Sequence, residues 1–294
     1  MIVITTPTGN IGSQVLKNLL SSKEPIRVIT RNPDRIASDA RERVEVVVGS
    51  HGDSAVVNKA FDGADSVFWL VPPDPRAASV EATYVDFARP AAKALRQQEV
   101  KRVVGVSPLG RGTPWAANAG LVTAALAMDD LIVSSGVSYK ALTMPSFMDN
   151  LLRQADSITS NGVFSLPIDG DRKLPSVSSR DIASAAARLL LDHIWTGVSS
   201  VPILGPEDVS YNDMAQILSE VLERPVRFEQ ISNDAFKSRL LGRGMSDAMP
   251  QGNVDMWIAK AHGIDNAVKR TAESSTPTSF REWAQEAFRP RVSV

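Results

Sequence analysis

The sequence predicts an α/β chain: a doubly wound parallel sheet followed by a smaller, helix-rich lobe. Three observations predict it. Short apolar runs recur through the first 150 residues, helical patterns separate them, and the first run enters a glycine-bearing turn that opens a helix. Strands that are continuously apolar, rather than alternating, are those buried on both faces. Strand and helix in alternation is the pattern of a parallel sheet covered on both sides.

The first run is Ile2–Thr5, and the turn after it reads Thr6-Pro7-Thr8-Gly9-Asn10-Ile11-Gly12. Ile11, Val15, Leu16, Leu19 and Leu20 then recur at helical spacing. Further strands are predicted at Ile26–Thr30, Val44–Val48, Ser66–Val71, Val103–Ser107 and Val137–Leu142. Ligands of such sheets sit beyond the carboxyl ends of the strands. The tips to inspect are therefore Gly49-Ser50-His51-Gly52-Asp53, Pro72-Pro73-Asp74-Pro75, Ser107 to Gly112, and Met144 to Met148.

From about Asn150 strand-length runs become scarce, apart from Val201–Leu204 and Val226–Ile231. Ser210-x-x-Asp213 and Ser279-x-x-Glu282 resemble capping boxes, and Thr276-Pro277-Thr278 reads as a linker before the last helix. The Ala- and Leu-rich stretch 180–191 is expected to pack back on the sheet. The expected division is a dinucleotide-binding domain over 1–150 and, over 151–294, a lobe that closes over the strand tips and lines a substrate pocket.

The chemistry resides in the first turn. A helix N-terminus presents unpaired N–H groups and about half a positive charge, which stabilises an anion such as a pyrophosphate. Gly9 lets backbone approach the phosphates, and Gly12 lets the helix pack close to its strand. Read as G-x-x-G-x-x-G, the motif has Thr6 at its first position. Where a site for NAD places an acid on the ribose 2′-hydroxyl, this chain reads Ile29-Thr30-Arg31-Asn32-Pro33, with no acid between Glu24 and Asp34. A guanidinium there matches a 2′-phosphate, so the expected cofactor is NADP(H), with NADPH preferred over NADH.

Composition narrows the rest. Lys plus Arg number 32 against 33 acids, a net charge of −1 that argues against a nucleic-acid or anionic-membrane footprint. With no cysteine there is no thiolate nucleophile, and His51, His193 and His262 show no ligand spacing, so no metal is expected. The longest dense apolar stretch, Val67 to Val71, is far short of a membrane span, and no basic and apolar leader precedes the first strand. A soluble cytoplasmic protein is the expectation. Gly105-Val106-Ser107-Pro108-Leu109 falls one residue short of a hydrolase elbow, and Asp169-Gly170-Asp171 reads as a turn.

These pieces together resemble the NmrA-like group of atypical short-chain dehydrogenase/reductases. The resemblance is carried by Thr8 to Gly12, Thr30 to Pro33, Gly52-Asp53, Phe61 to Phe68, Val100 to Val104, Ser135 to Tyr139, Pro145 to Asn150, and Arg180 to Ala183. It implies that Thr6, Thr8, Gly9, Asn10, Ile11 and Gly12 hold the pyrophosphate and Arg31 the 2′-phosphate, with Ser50 bordering the adenine. Val71 and Pro72 would pass under the nicotinamide ribose, with Ser107 and Met144 nearer the nicotinamide. The group includes NADPH-dependent quinone and dye reductases and also redox-sensing regulators.

Two departures bear on the reaction. The residues four after Tyr84, Tyr139 and Tyr211 are Ala88, Thr143 and Ala215, so no Tyr-x-x-x-Lys pair exists. A His and Glu four residues apart in many members become Ala125 and Asp129. The resemblance therefore implies hydride transfer from NADPH to a small planar acceptor such as a quinone, held in a cleft between the lobes, with Ser107 as a candidate hydrogen-bond donor. The alternative is a non-catalytic NADP(H) sensor acting through a protein partner.

Overall fold

In the computed structural model, which describes residues 1–292, the chain starts β1 (Ile2–Thr5), α1 (Gly12–Leu19), β2 (Ile26–Thr30), α2 (Ser38–Arg41), β3 (Glu45–Val48), α3 (Ser54–Phe61). It continues β4 (Ser66–Trp69), α4 (Phe87–Gln97), β5 (Arg102–Pro108), α5 (Leu121–Val133), β6 (Ser138–Met144), β7 (Ser146–Phe147), α6 (Ala155–Asn161), β8 (Val163–Leu166), β9 (Leu174–Val177). After α7 (Ser179–Leu191) come β10 (Val198–Pro202), β11 (Asp208–Val209), α8 (Tyr211–Leu222), β12 (Arg227–Gln230), α9 (Asn233–Gly242), α10 (Met249–Ala261), α11 (Phe280–Trp283) and α12 (Arg289–Val292). The last two residues of the predicted lobe, Ser293 and Val294, lie outside the described residues.

Seven strands form the main sheet in the order β10-β6-β5-β4-β1-β2-β3, every pair parallel. Strand order reverses between β1 and β4, where Ile2 stands beside Ser66 and Ile4 beside Phe68. Side chains alternate between the faces, as a two-residue period requires. Val3, Val67, Val103 and Tyr139 pack under α3, α4 and α5, whereas Ile2, Ile4, Phe68, Val104 and Leu142 pack under α1 and α7.

Strand ends differ from the expectation where a side chain intervenes. β4 stops at Trp69 rather than Val71, because the Leu70 N–H donates to the Thr5 hydroxyl (3.1 Å), which itself donates to the Phe68 carbonyl (2.9 Å). β5 and β6 run on to Pro108 and Met144. Both α7 and β10 return to the main sheet, β10 pairing with β6. The sequence shows β10 poorly because Val198, Ser199 and Ser200 are exposed on the edge.

The remaining chain is mainly helical and adds two short sheets, β11-β9-β7 and β12-β8. Its core is aromatic, with Phe164, Tyr211, Trp257, Phe280, Trp283 and Phe288 in one cluster. Both halves of the capping box at Ser210 form. At Ser279 only the hydroxyl half forms (Glu282 N–H, 3.1 Å), because the Glu282 carboxylate binds Arg180 (2.9 Å). The stretch read as a linker is tied down: Thr278 donates from its N–H and hydroxyl to Asp181 (3.1 and 2.8 Å). Lys260 and Asp265 form an ion pair buried beneath this lobe.

Candidate functional site

The turn after β1 is built for an anion. Thr6 has φ +52°, a left-handed conformation that is costly for a β-branched residue. Its hydroxyl oxygen is buried and has no hydrogen-bond partner. The Gly9 N–H closes the turn on the Thr6 carbonyl (3.0 Å), while the N–H groups of Asn10, Ile11 and Gly12 make no backbone hydrogen bond among the described residues. No side chain caps α1. A Cβ on Gly12 would overlap the Thr6 carbonyl oxygen, so only glycine brings the helix this close. A buried orphan hydroxyl beside free helix N–H groups is the donor set that a pyrophosphate requires.

Strand order arranges the tips along one edge. From β3 inward they run Ser50, Arg31, the Thr6–Gly12 turn, Val71 with Pro72, Ser107, then Met144. Arg31 is exposed, and its guanidinium makes no hydrogen bond or ion pair among the described residues. Asn32 beside it is occupied, accepting the Asp34 N–H (3.1 Å) in a local turn. The Ser50 hydroxyl accepts from the Gly52 N–H (3.2 Å). Gly52 is needed because a Cβ would strike the Phe87 ring, and Asp53 caps α3 through the Ala55 N–H (2.8 Å).

His51 is wedged between the Trp69 and Phe87 rings, with centroids at 5.2 and 4.8 Å. Burial first, and then the Arg31 cation, lower its pKa to about 4, against the pull of the Leu70 carbonyl. The ring is neutral at pH 7. Its Nε2 lies 3.1 Å from that carbonyl oxygen and must carry the proton, leaving Nδ1 as an acceptor.

At the other end Val71, Ser107 and Met144 are buried, while Pro72 is exposed. The Ser107 hydroxyl donates to Asp129 Oδ2 at 2.5 Å, and the Tyr139 hydroxyl donates to Oδ1 of the same carboxyl at 2.5 Å. Tyr139 fits because its neighbour is Gly105, where a Cβ would overlap the phenol oxygen. Asp129 is 2% exposed, and burial raises its pKa to about 6 against these two donors and the Arg111 cation. Burial also pushes the Tyr139 and Tyr84 phenols well above their usual range. Burial outweighs the nearby cations, Arg111 for Tyr139 and Arg153 for Tyr84, so neither phenol is a ready proton donor.

The sequence reading missed Asp129 as a partner of Ser107. The signal was present: an acid in the buried phase of the apolar helix Leu121–Val133, one turn after Ala125 and before Ile132. It also missed a tie from the phosphate turn to the lobe. Gln14 donates to the Asn10 carbonyl (2.7 Å) and the Ser179 hydroxyl (2.9 Å), and Ser179 in turn donates to Asp149 (2.9 Å).

A cavity of about 60 Å³ is bounded by Phe147 and Met148 after β6 and by Leu174, Tyr211 and Trp257 of the lobe. It is smaller than the roughly 150 Å³ at which a cavity takes a benzene ring. A groove of about 440 Å³ lies at the opposite, amino-terminal end of β5 and β6. Its cations are already engaged, Arg96 with the Ser134 carbonyl (2.5 Å) and Arg102 with the His193 carbonyl (2.6 Å).

No described helix is long and apolar enough to cross a membrane, and among the described residues no cluster could hold a metal ion.

Comparison with known proteins gives the family. A family model described as NAD(P)H-binding matches residues 7–193, and the NmrA-like family model matches residues 127–284. A (4-alkanoyl-5-oxo-2,5-dihydrofuran-3-yl)methyl phosphate reductase of Streptomyces griseus is 31% identical over 99% of this chain and 100% of its own. An NAD(P)H azoreductase of Xenophilus azovorans is 26% identical over 98% of this chain and 96% of its own. The crystal structure of an NADPH-dependent quinone oxidoreductase from Escherichia coli, complexed with NADPH, superposes with a TM-score of 0.79 at 22% identity, covering 98% of this chain and 100% of that one. The chain belongs to the NmrA-like family and is an NAD(P)H-binding oxidoreductase.

Proposed function

We propose that this protein transfers hydride from NADPH to a small conjugated acceptor, of which a quinone is the simplest case. The observation that carries the reading is the row of tips along one sheet edge, with an unpartnered guanidinium at one end and a hydroxyl backed by a buried carboxyl at the other. Thr6, Thr8, Gly9, Asn10, Ile11 and Gly12 hold the pyrophosphate, with the orphan Thr6 hydroxyl donating to it. Arg31 pairs with the 2′-phosphate, and Ser50 and the neutral His51 border the adenine. Val71 and Pro72 lie under the nicotinamide ribose, and Ser107 and Met144 flank the acceptor.

The bound cofactor supplies the hydride; the protein positions the acceptor, excludes water and provides a proton. The acceptor class follows from what the named relatives reduce. A dihydrofuranone ring conjugated to its carbonyl, an azo group and a quinone all present an electron-poor multiple bond. The 60 Å³ cavity beside Phe147 takes only a small substituent of such an acceptor.

Cofactor oxidation across a panel of quinones, azo dyes, conjugated lactones and simple ketones tests the reading. Turnover with the first three and not with ketones is expected. Tight NADPH binding without turnover on any acceptor would overturn it in favour of a sensor. Arg31→Ala should cost NADPH about tenfold to a hundredfold in affinity and leave NADH unchanged, since a hydrogen bond to a charged group is worth about 1.5–3 kcal/mol.

A further inference from the structure

We propose that Asp129 is the proton store of the reaction and that it delivers its proton to the reduced acceptor through the Ser107 hydroxyl. The inference rests on the reductase reading above. Hydride arriving on one atom of a conjugated acceptor leaves a lone pair and negative charge on its heteroatom. That heteroatom takes the Ser107 Oγ proton as Oγ takes the Asp129 carboxyl proton. One bond to hydrogen forms at each oxygen or nitrogen that receives a proton and one breaks at the group behind it. Asp129 ends as a carboxylate, and a proton from water restores it. Acceptor plus NADPH plus one proton gives reduced acceptor plus NADP⁺, so the balance closes without another reagent.

The geometry supports this route over a tyrosine route. The Asp129 carboxyl receives Ser107 on Oδ2 and Tyr139 on Oδ1, both at 2.5 Å. When the carboxyl is protonated, one of the two hydroxyls must turn to accept. Tyr139 is wholly enclosed beneath Gly105 and can only keep donating. Ser107, the penultimate residue of β5, is the one that turns, which frees its own proton for an acceptor lying beyond the carboxyl end of the strand. The charged and titratable groups facing Asp129 are Tyr139 of β6, Asp130 of its own helix, and Arg111 of the loop after β5. Arg111 Nη2 stands 3.9 Å from Oδ2 while Nη1 holds Asp130 at 2.8 Å. Arg111 stays protonated and offsets the carboxylate charge, and the proton returns to Asp129 by the reverse of the Ser107 path once the reduced acceptor has left.

Burial raises the Asp129 pKa to about 6, so the acid form exists near neutral pH. An acid is consumed, so kcat/KM should fall as pH rises through this region. Rapid kinetics on the whole protein with NADPH and a quinone provide the test. Asp129→Asn and Ser107→Ala should each lower kcat about 10²- to 10⁴-fold, with NADPH affinity held within threefold and the pH limb gone from Asp129→Asn. Tyr139→Phe removes one donor to the carboxylate and should move the limb to higher pH, a response that a purely structural Asp129 would not give. Asp129→Asn with kcat within threefold of wild type, or with the limb intact, overturns the relay. So does an unmoved limb in folded Tyr139→Phe, which keeps the question decidable if the Asn variant fails to fold. A wild type that binds NADPH and reduces nothing overturns the reductase reading itself, and the relay with it; a wild type that turns over while Asp129→Asn does so equally removes the relay alone.

Discussion

The end of the sheet edge assigned to the cofactor and the end assigned to the acceptor are made of different material. At the first, the available donors are backbone N–H groups of a seven-residue stretch (Thr6 to Gly12) and one guanidinium five positions past Ile26. At the second, a hydroxyl of β5, a carboxyl of α5 and a phenol of β6 converge from three separate parts of the chain. Backbone donors in a short turn do not depend on distant packing. Side chains that meet across elements do, and their exchange changes the acceptor without touching the cofactor. Fold likeness carries over the first kind of site far better than the second.

Breaking the lobe alone is the severest test of this separation. Lys260→Met leaves Asp265 as an unpaired buried charge and should cost about 3–5 kcal/mol, read by chemical denaturation. NADPH affinity, measured where the variant is still folded, should stay near wild type; a parallel loss would show that the two ends are one unit.

The converse substitution is Gly12→Ala. Its Cβ meets the Thr6 carbonyl, a backbone atom with nowhere to go, so a cost of about 1–3 kcal/mol and a loss of NADPH binding of roughly a hundredfold are expected. Unchanged titration curves would sink the phosphate role of the turn.

His51 sharpens the contrast through pH. Its folded pKa of about 4 lies below the unfolded 6.5, so the folded state binds fewer protons. The stability it contributes is present above pH 6.5 and is lost as pH falls through about 4. Denaturation at a series of pH values should show His51→Phe losing on the order of 3 kcal/mol less than wild type over that window. Asp129 acts with the opposite sign: its folded pKa is raised, so its contribution is present below the unfolded carboxyl pKa and is lost as pH rises through about 6.

The smallest expected effect is at Ser210→Ala, which removes the hydroxyl half of a capping box and should lower stability by about 1 kcal/mol. A thermal melt unchanged from wild type would mean that α8 is held by its aromatic face alone.

What could be read from the sequence follows the same division. β1, β2 and the turn between β1 and α1 are legible because each is a continuous run whose chemistry is local. Arg31 is legible because its position is fixed by counting along a strand. β10 is not, because an edge strand with Val198, Ser199 and Ser200 facing solvent carries no apolar run. The early end of β4 is set by the Thr5 hydroxyl 65 residues away from Leu70, a contact that no window of sequence contains. Ser107 could be named as a candidate, but its partner Asp129 lies 22 residues further on and meets it only once α5 packs on the sheet.

The hydrogen bonds from Asn10 through Gln14 and Ser179 to Asp149 have a kinetic consequence. Asn10 sits in the turn, and Asp149 lies in the stretch that forms the cavity wall after β6. On the proposed reading, a dinucleotide held by the turn would fix Asn10 and, through two side chains, the wall against which the acceptor would rest. Such a link would favour an order of arrival, with the dinucleotide first and the acceptor second.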